Sequence, residues 1–293
     1  MIENRSAENS TIVADLHTHT RASDGELSPE ELVDLAAGAG LKALAVTDHD
    51  SLGGVERAIA QGTKRGIEVV PGCELTVYEG NSELHVLALF LKLDSCAELN
   101  ALLQSMQEHR RKRGILMAQK LSAAGFALEE HDIREAAGNA ESIGRMHVAA
   151  ALAKRGHARG AKDALSRFLL RGGVGYVPKY PLTPEQAFAA VRAAGGVAIL
   201  AHPGRTQHDE LLSPLFHRGL DGVEAYYRTH PEMERRYYAG WARRCEKLVS
   251  GGSDYHGPRA TPNVRLGASG VDKKTLSDLR SRAAQRQYVN ALV

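Results

Sequence analysis

Cysteine is scarce in this chain of 293 residues, which contains three, at Cys73, Cys96 and Cys245. They lie far apart and form no C-x-x-C pair, which argues against a disulfide framework and against a zinc knuckle made of thiolates. A reducing compartment suits such a composition, so we expect the protein to be cytoplasmic. Phenylalanine and tryptophan are also few, at five and one, so tyrosine is expected to supply much of the aromatic packing.

A charge excess of either sign is absent as well. Lysine and arginine total 37 against 35 aspartates and glutamates, which argues against a surface for duplex DNA or an anionic membrane. Residues 1–11 are polar, and we expect them to form a flexible leader rather than a signal peptide or a membrane anchor. Nothing in the composition indicates an obligate protein partner.

What the chain does contain is an alternation of short apolar runs with helical stretches. Helix-start signals such as Ser28-Pro29 and Thr183-Pro184 separate several of the runs. Short strands that alternate with helices favour a parallel sheet. The seven runs predicted as strands are 12–16, 41–46, 67–70, 84–91, 197–201, 222–225 and 248–250.

The strand signal disappears in the middle of the chain, where helices are predicted instead. We therefore predict an α/β fold with an all-helical insertion at 96–174, flanked by a barrel made of 12–95 and 175–293. Candidate ligands at the ends of both the first and the last strand favour a closed (β/α) barrel, because a closed ring makes those strands neighbours. An open doubly wound sheet remains the alternative at this point.

Side chains that bind metals fall at the ends of the predicted strands. Residues two apart in a strand project to the same side, so His17 and His19 can face one ion, and Asp254 and His256 repeat this arrangement. Imidazole together with carboxylate suits manganese, zinc or iron better than magnesium or calcium. The nine candidate ligands are His17, His19, Asp24, His49, Glu74, His85, His202, Asp254 and His256.

The charge of such a site indicates its substrate. Three divalent ions with three carboxylate ligands leave about three positive charges before hydroxide binds, and such a site prefers a phosphate dianion to a neutral amide. Clustered ions also lower the pKa of a bridging water and stabilise the leaving oxygen of a phosphoester. The sequence therefore predicts phosphoester hydrolysis by a metal-bridging hydroxide, with Glu74 and Asp254 as catalytic ligands.

These motifs together resemble the PHP-domain (polymerase and histidinol phosphatase) family of metal-dependent phosphoesterases over nearly the whole chain. The resemblance implies a distorted seven-stranded (β/α) barrel and two to three divalent ions, with manganese as the first choice and zinc or iron as alternatives. Glu74 would bridge two ions. The implied ligand sets are His17, His19, Glu74 and Asp254 for one ion, Asp24, His49 and His256 for a second, and Glu74, His85 and His202 for a third.

The helical insertion resembles the TrpH-like branch of that family, whose characterised members are similar to 3′,5′-nucleoside bisphosphatases and 5′-to-3′ exoribonucleases. Arg110 and Arg113 lie three apart, so they share one face of the predicted helix and can clamp a second phosphate. Arg145 and Arg205 are expected to join them. The substrate is then a small nucleotide with two phosphates or the 5′ end of a short RNA.

Three further residues are predicted to serve the site. Asp48 and Asp50 flank a candidate ligand, and we expect Asp48 to orient His49 and Asp50 to contact the substrate; capping of the following helix is the alternative for both. His230 follows a predicted strand end and is a further candidate for substrate contact.

Three other functions remain as alternatives. A histidinol-phosphate phosphatase would recognise an amino-imidazole instead of a second phosphate. A neutral-substrate amidohydrolase is disfavoured, because its two ions usually share a carboxylated lysine and no lysine occurs at the predicted strand ends. A PHP module that keeps metals only for stability or for docking a polymerase would be non-catalytic.

Overall fold

A computed structural model describes residues 11–138, 144–178 and 182–292. The predicted flexible leader lies outside the described residues, apart from Thr11. Within these ranges, none of the helices has both the length and the apolar content that crossing a bilayer requires.

The strands form one seven-stranded sheet in which each strand pairs with the next along the chain. The backbone N–H of Leu16 donates to the carbonyl of Gly251 in β7 at 3.2 Å, and beyond β7 the N–H of Asp254 donates to the carbonyl of His17 at 2.8 Å. The last strand thus lies beside the first, and the predicted seven-stranded α/β barrel is confirmed. The strands are β1 (Ala14–Asp15), β2 (Ala43–Val46), β3 (Glu68–Glu79), β4 (Ser82–Leu89), β5 (Val197–Leu200), β6 (Gly222–Tyr227) and β7 (Leu248–Gly252).

The prediction of an all-parallel sheet is wrong at β4, which runs antiparallel to both β3 and β5. Gly80 and Asn81 alone separate the paired residues Glu79 and Ser82, and Gly80 has a φ of 57°. A two-residue loop closes a hairpin, whereas a parallel crossover needs a dozen residues or more. The Gly-Asn pair is a known hairpin signal that the sequence analysis did not use.

Helices cover the outside of the barrel, and proline and capping residues start several of them. Ser28 begins α1 with a capping box, in which its hydroxyl accepts from the N–H of Glu31 and the Glu31 carboxylate accepts from the N–H of Ser28. Thr183 and Gln186 repeat this at α7. The helices are α1 (Pro29–Gly38), α2 (Val55–Arg65), α3 (Ala97–Ala123), α4 (Glu130–Ala137), α5 (Arg145–Lys154), α6 (Ala161–Ala164), α7 (Pro184–Ala193), α8 (Pro203–Thr206), α9 (Leu212–His217), α10 (Glu232–Arg244) and α11 (Lys273–Asn290).

Helix α3 connects two hydrophobic cores. Leu99 and Leu103 in its first half belong to the core of the barrel, whereas Met117 and Leu121 in its second half pack against α4, α5 and α6 in a separate core. Because α3 is continuous between the two cores, it fixes the position of α4, α5 and α6 relative to the mouth of the barrel. The predicted insertion boundaries at 96 and 174 remain a prediction.

Candidate metal centre and substrate cavity

The carboxyl end of the barrel gathers the nine candidate ligands into one connected cluster. Glu74 lies at its centre, 1% exposed. Five imidazoles approach the Glu74 carboxylate oxygens at 2.8–3.3 Å; they belong to His17, His19, His49, His85 and His202. Asp254, Asp24 and His256 complete the cluster through contacts with these residues.

The first group able to hold a metal consists of His17, His19, Glu74 and Asp254, all buried. The Nε2 atoms of His17 and His19 lie 3.2 and 3.3 Å from Glu74 Oε2, and 3.5 and 3.2 Å from Asp254 Oδ1. This is the set that the family resemblance implied for the first ion. Asp254 has a φ of 52°, a strained value for a residue with a side chain, and strain of this kind is concentrated at functional sites.

The second group is His19, Asp24, His49 and His256. The Nε2 atom of His256 lies 3.2 Å from Asp24 Oδ1, and the rings of His19 and His256 stack at a centroid distance of 4.0 Å. Asp24 is half-exposed, so this group lies at the solvent side of the cluster. His19 joins the three residues that the resemblance implied for the second ion.

The third group is His49, Glu74 and His85. His85 Nδ1 lies 2.8 Å from Glu74 Oε1. His202, implied as a ligand of the third ion, lies on the same oxygen, with its Nε2 at 3.1 Å. Glu74 therefore belongs to the first and the third group, as a bridging carboxylate requires.

The donor atoms of this cluster fit divalent metals. Several buried ring nitrogens and Glu74 Oε2 have no hydrogen-bond partner among the described residues; the nitrogens are His17 Nε2, both of His19, His49 Nδ1 and His202 Nδ1. Unpaired buried polar atoms are rare and costly, and a shared cation satisfies them. Nitrogen and carboxylate donors together match manganese, zinc or iron.

The electrostatic field in the cluster favours a cation. Burial disfavours charge on His19, yet Asp254 and Glu74 outweigh it and raise the pKa of His19 to about 10. Around His17 the carboxylates, first Glu224 and then Glu74, likewise overcome burial and hold its pKa well above the usual range. A field that would protonate these imidazoles attracts a divalent ion to the same place.

Glu224, in β6, is a functional residue that the sequence analysis missed. Its side chain is fully buried, its Oε1 accepts from His17 Nδ1 at 3.0 Å, and its Oε2 accepts from the backbone N–H of His202 at 2.9 Å. A carboxylate behind a ligating imidazole fixes the ring and its tautomer, so that Nε2 faces the metal. The available signal was an acidic residue inside an apolar run that reads Gly222-Val-Glu-Ala.

The expected contact between Asp48 and His49 is wrong. Among the described residues the Asp48 carboxylate accepts from the N–H of Thr20 at 2.7 Å, from the Thr20 hydroxyl at 2.6 Å and from the Ser23 hydroxyl at 2.6 Å. These donors engage both oxygens of the carboxylate, and none of them belongs to the ring of His49. Asp48 instead holds the loop that carries Asp24.

A cavity of about 280 Å³ opens beside the metal groups. Asp24, His49 and His85 line it from the barrel, and residues of α3 and α5 line it from the helical part. Three of the four predicted arginines are on its wall, together with Asp50 and with His147, which the sequence analysis did not single out; the arginines are Arg110, Arg113 and Arg145.

Two of these arginines are held in place by other residues, Arg110 by Asp50 of the barrel and Arg113 by the backbone of Val177. Arg110 makes a close ion pair with the buried carboxylate of Asp50, which also accepts from the N–H of Thr76 at 2.8 Å. Burial lowers the pKa of Arg110 to about 10, which leaves it charged at neutral pH. The Nε–H of Arg113 donates to the carbonyl of Val177 at 2.8 Å. Asp50 thus acts on the cavity through Arg110.

The other two predicted substrate residues lie elsewhere. Arg205 is not on the cavity wall; its NH1 group is 3.2 Å from the Tyr227 hydroxyl and 3.5 Å from Asp254 Oδ2. His230 is buried, its Nδ1–H donates to the carbonyl of Ala225 and its Nε2 accepts from the N–H of Gly204. Because both ring nitrogens are taken, the prediction that His230 contacts substrate is wrong, and it fixes the loop after His202.

A barrel with clustered histidines and carboxylates at its mouth defines a metal-dependent hydrolase. Residues 15–169 match the PHP domain, and the chain belongs to the PHP family. It is 34% identical to a 3′,5′-nucleoside bisphosphate phosphatase of Chromobacterium violaceum, over 83% of this chain and 87% of that protein. It is also 34% identical to the 5′-3′ exoribonuclease Rnm of Salmonella typhimurium, over 88% and 89%.

A solved structure agrees with this assignment. A protein of Bifidobacterium adolescentis described as a metal-dependent phosphoesterase superimposes with a TM-score of 0.79 at 29% identity, covering 92% of this chain and 96% of that one. The chain is therefore a metal-dependent phosphoesterase of the PHP family.

Proposed function

We propose that this phosphoesterase removes the 3′ phosphate of nucleoside 3′,5′-bisphosphates and cleaves the first phosphodiester of short RNA that carries a 5′ phosphate. One observation supports the proposal above the others. A single cavity combines metal-binding side chains with Arg110, Arg113 and Arg145. A substrate with one phosphate at the metals and a second on guanidinium groups matches that combination.

The charge on the cavity wall favours a second anionic group. The wall carries three arginines and three carboxylates, of which Asp24 belongs to the second metal group. The arginines exceed the other two carboxylates, Asp50 and Glu83, by one positive charge. Guanidinium groups bind phosphate oxygens in a bidentate manner. Histidinol phosphate, whose single phosphate would lie at the metal groups, has no second phosphate for these arginines. Met106 and Met146 add apolar surface to the wall, which suits a nucleobase.

The metals complete the proposal. Two to three divalent ions would be held by the three groups around Glu74, with manganese as the first choice and zinc or iron as alternatives. When bound, such ions activate a water molecule and neutralise charge on the phosphoryl oxygens. Glu74 and Asp254 would be the catalytic ligands, and Glu224 keeps His17 oriented toward them. A cytoplasmic location and the lack of a duplex-DNA, membrane or obligate protein partner stay predictions.

The experiment compares turnover of adenosine 3′,5′-bisphosphate, histidinol phosphate and p-nitrophenyl phosphate by the metal-loaded protein. We expect the bisphosphate to have the highest kcat/KM. Arg145→Met should lower kcat/KM for the bisphosphate by about 10-fold or more, since one charged hydrogen bond is lost, and should leave the aryl phosphate nearly unchanged. Arg111→Met is the matched control, because Arg111 is half-exposed and pairs with Glu108 outside the cavity.

Two results would contradict the proposal. A preference for histidinol phosphate would show that the proposed substrate class is wrong. Equal losses of kcat/KM by Arg145→Met on the bisphosphate and on p-nitrophenyl phosphate would show that Arg145 does not contact the second phosphate. A metal-replete protein that is inert on all three substrates would favour a non-catalytic module.

A further inference from the structure

Two further arginines, Arg205 and Arg228, lie beside the metal groups and outside the wall of the cavity. Arg205 follows β5 in α8, and Arg228 follows β6 directly. Arg110 contacts Asp50, which follows β2, and Thr76 in β3. In the ring of seven strands, β5 and β6 lie two and three strands away from β3, so Arg205 and Arg228 lie on a different part of the barrel mouth from Arg110.

Both arginines converge on one carboxylate oxygen beside the metal groups. Asp254 Oδ1 faces His17 and His19, whereas its Oδ2 accepts from the Tyr227 hydroxyl at 2.9 Å. Arg228 NH2 lies 3.3 Å and Arg205 NH1 3.5 Å from the same Oδ2. The guanidinium groups are thus one carboxylate away from the first metal group.

The number of donors exceeds what orienting Asp254 requires. The Tyr227 hydroxyl already makes a good hydrogen bond to Oδ2, and two cations share an oxygen of a single anion whose other oxygen faces the metal ligands. A guanidinium group has five N–H donors, so both side chains keep donors for an additional acceptor. Arg205 is 54% and Arg228 22% exposed, which leaves them accessible to an anion in the barrel mouth.

We infer that Arg205 and Arg228 form a phosphodiester subsite for the RNA chain beyond the cleaved bond, an inference that rests on the proposed function. With the 5′ phosphate on Arg110, Arg113 and Arg145, the 3′ phosphate of the first nucleoside lies at the metal groups. A bisphosphate ends there. In RNA the same phosphorus carries the next nucleotide on an equatorial oxygen, because the position in line with O3′ belongs to the attacking water. The chain then continues sideways across the barrel mouth, toward Arg205 and Arg228 beside Asp254.

The same bond is broken in both substrates. Water adds to the phosphorus, the P–O3′ bond breaks, and the 3′ oxygen takes a proton from the water and becomes a hydroxyl. The phosphoryl group leaves as inorganic phosphate from a bisphosphate and as the new 5′ phosphate of a shortened RNA. Arg205 and Arg228 therefore select between the two substrates by binding the remainder of the chain, without changing the reaction.

The test compares Arg205→Met and Arg228→Met on adenosine 3′,5′-bisphosphate and on 5′-phosphorylated triadenylate. In each variant the fold-loss in kcat/KM should be about ten times larger on the triadenylate than on the bisphosphate. The reason is that only the triadenylate has a further phosphodiester that these arginines can contact. Arg243→Met is the matched control, since Arg243 is exposed on α10, away from the barrel mouth. Its ratio of kcat/KM on the triadenylate to kcat/KM on the bisphosphate should equal that of the wild type.

Equilibrium binding provides a readout that does not depend on turnover. In protein treated with EDTA, fluorescence anisotropy with 5′-phosphorylated hexa-adenylate should show weaker binding for both variants. Affinity falls as salt rises, and the steepness of the plot of log affinity against log salt concentration should decrease by roughly 0.7 for each phosphate contact removed.

The outcomes separate this inference from the proposed function. Wild-type turnover of both substrates, with equal losses by the two variants and unchanged salt slopes, would overturn the subsite and keep the proposed function, since the arginines would then act only through Asp254. Turnover of the bisphosphate alone would also overturn the subsite. Wild-type protein that hydrolyses neither substrate would remove the proposed function and the subsite together.

Discussion

At the scale of single residues, the site depends on groups that hold the ligands as much as on the ligands. Glu224 accepts from the His17 ring and from the backbone of His202, so one buried carboxylate fixes two members of the cluster. Partners of this kind commonly change metal affinity by one or two orders of magnitude. Its contribution can be measured separately from that of the ligands themselves.

Glu224→Gln should weaken metal binding by about 10- to 100-fold. Glutamine offers one acceptor oxygen for two N–H donors, so either His17 or the His202 backbone loses its partner. Competition with a chromophoric chelator measures the affinity. Glu232→Gln is the control, because Glu232 is exposed and pairs with Arg236 on α10; equal affinities for the two variants would show that Glu224 does not orient the ligands.

Gly252→Ala should destabilise the fold by roughly 1–3 kcal/mol. A Cβ at this position would lie 2.4 Å from His17 Cβ and 2.5 Å from His17 N, so the backbone just after β1 would have to move. Urea unfolding followed by circular dichroism measures the change. Gly240→Ala is the control within α10, where the added Cβ meets only Arg244 at 3.5 Å and should raise stability by up to about 1 kcal/mol. A loss no larger than about 0.5 kcal/mol for Gly252→Ala would contradict the close approach.

At the scale of elements, the loop between β1 and α1 shows how a strand end supports a ligand on another element. Asp48 follows β2, and its carboxylate holds Thr20 and Ser23. Asp24 lies next to Ser23 and contacts His256 at 3.2 Å. The position of Asp24 therefore depends on Asp48, although the two side chains do not share a metal group.

Asp48→Asn should remove one metal ion per chain and leave the ions around Glu74 in place. The amide group of asparagine would face hydroxyl and N–H donors that now meet a carboxylate, which should loosen the loop and displace Asp24 from its group with His49 and His256. Elemental analysis after gel filtration measures the content. Asp278→Asn, at an exposed pair with Lys274 on α11, is the control, and metal content identical to the wild type in both variants would refute this role.

The order of elements could be predicted from the sequence, whereas the direction of one strand was missed. Apolar runs and capping residues such as Ser28 and Thr183 report local structure, and the observed helices begin where those signals stand. The direction of β4 depends on the length of its connection to β3. Gly80 and Asn81 encode a hairpin, but a prediction of regular βα alternation overrides that short signal.

The candidate ligands were easier to predict than the residues around them. His17 and His19, or Asp254 and His256, form local patterns at strand ends, and such patterns can be read without knowing which strands meet. The contacts of Glu224 and Arg205 join distant parts of the chain. Which side of the barrel mouth each residue faces follows from ring closure, so the sequence alone could not assign Arg205 to the Asp254 side.

At the scale of the whole molecule, the two ends of the barrel have different tasks. The carboxyl ends of the parallel strands carry the metal groups together with His85 from the antiparallel β4, and α11 packs against the barrel core at the opposite end. Asp221, 5% exposed, precedes β6 and accepts from both NH1 and NH2 of Arg286 at 2.8 Å and from the N–H of Ala198 at 2.9 Å. Arg286 therefore fastens α11 to the strands far from the reacting groups.

Arg286→Met should lower the free energy of unfolding by up to about 3–5 kcal/mol, because it leaves the buried Asp221 carboxylate only a longer contact with Arg282 NH1, at 3.8 Å. Arg280→Met on the same helix removes a half-exposed pair with Glu68 and should cost about 0–1 kcal/mol. Urea unfolding measures both, and metal content and kcat of the folded fraction should match the wild type, since neither residue reaches the mouth of the barrel. Similar losses for the two variants would show that the Asp221 pair adds no more than a surface contact. Loss of bound metal in folded Arg286→Met protein would show instead that the closed end of the barrel controls the geometry of the site.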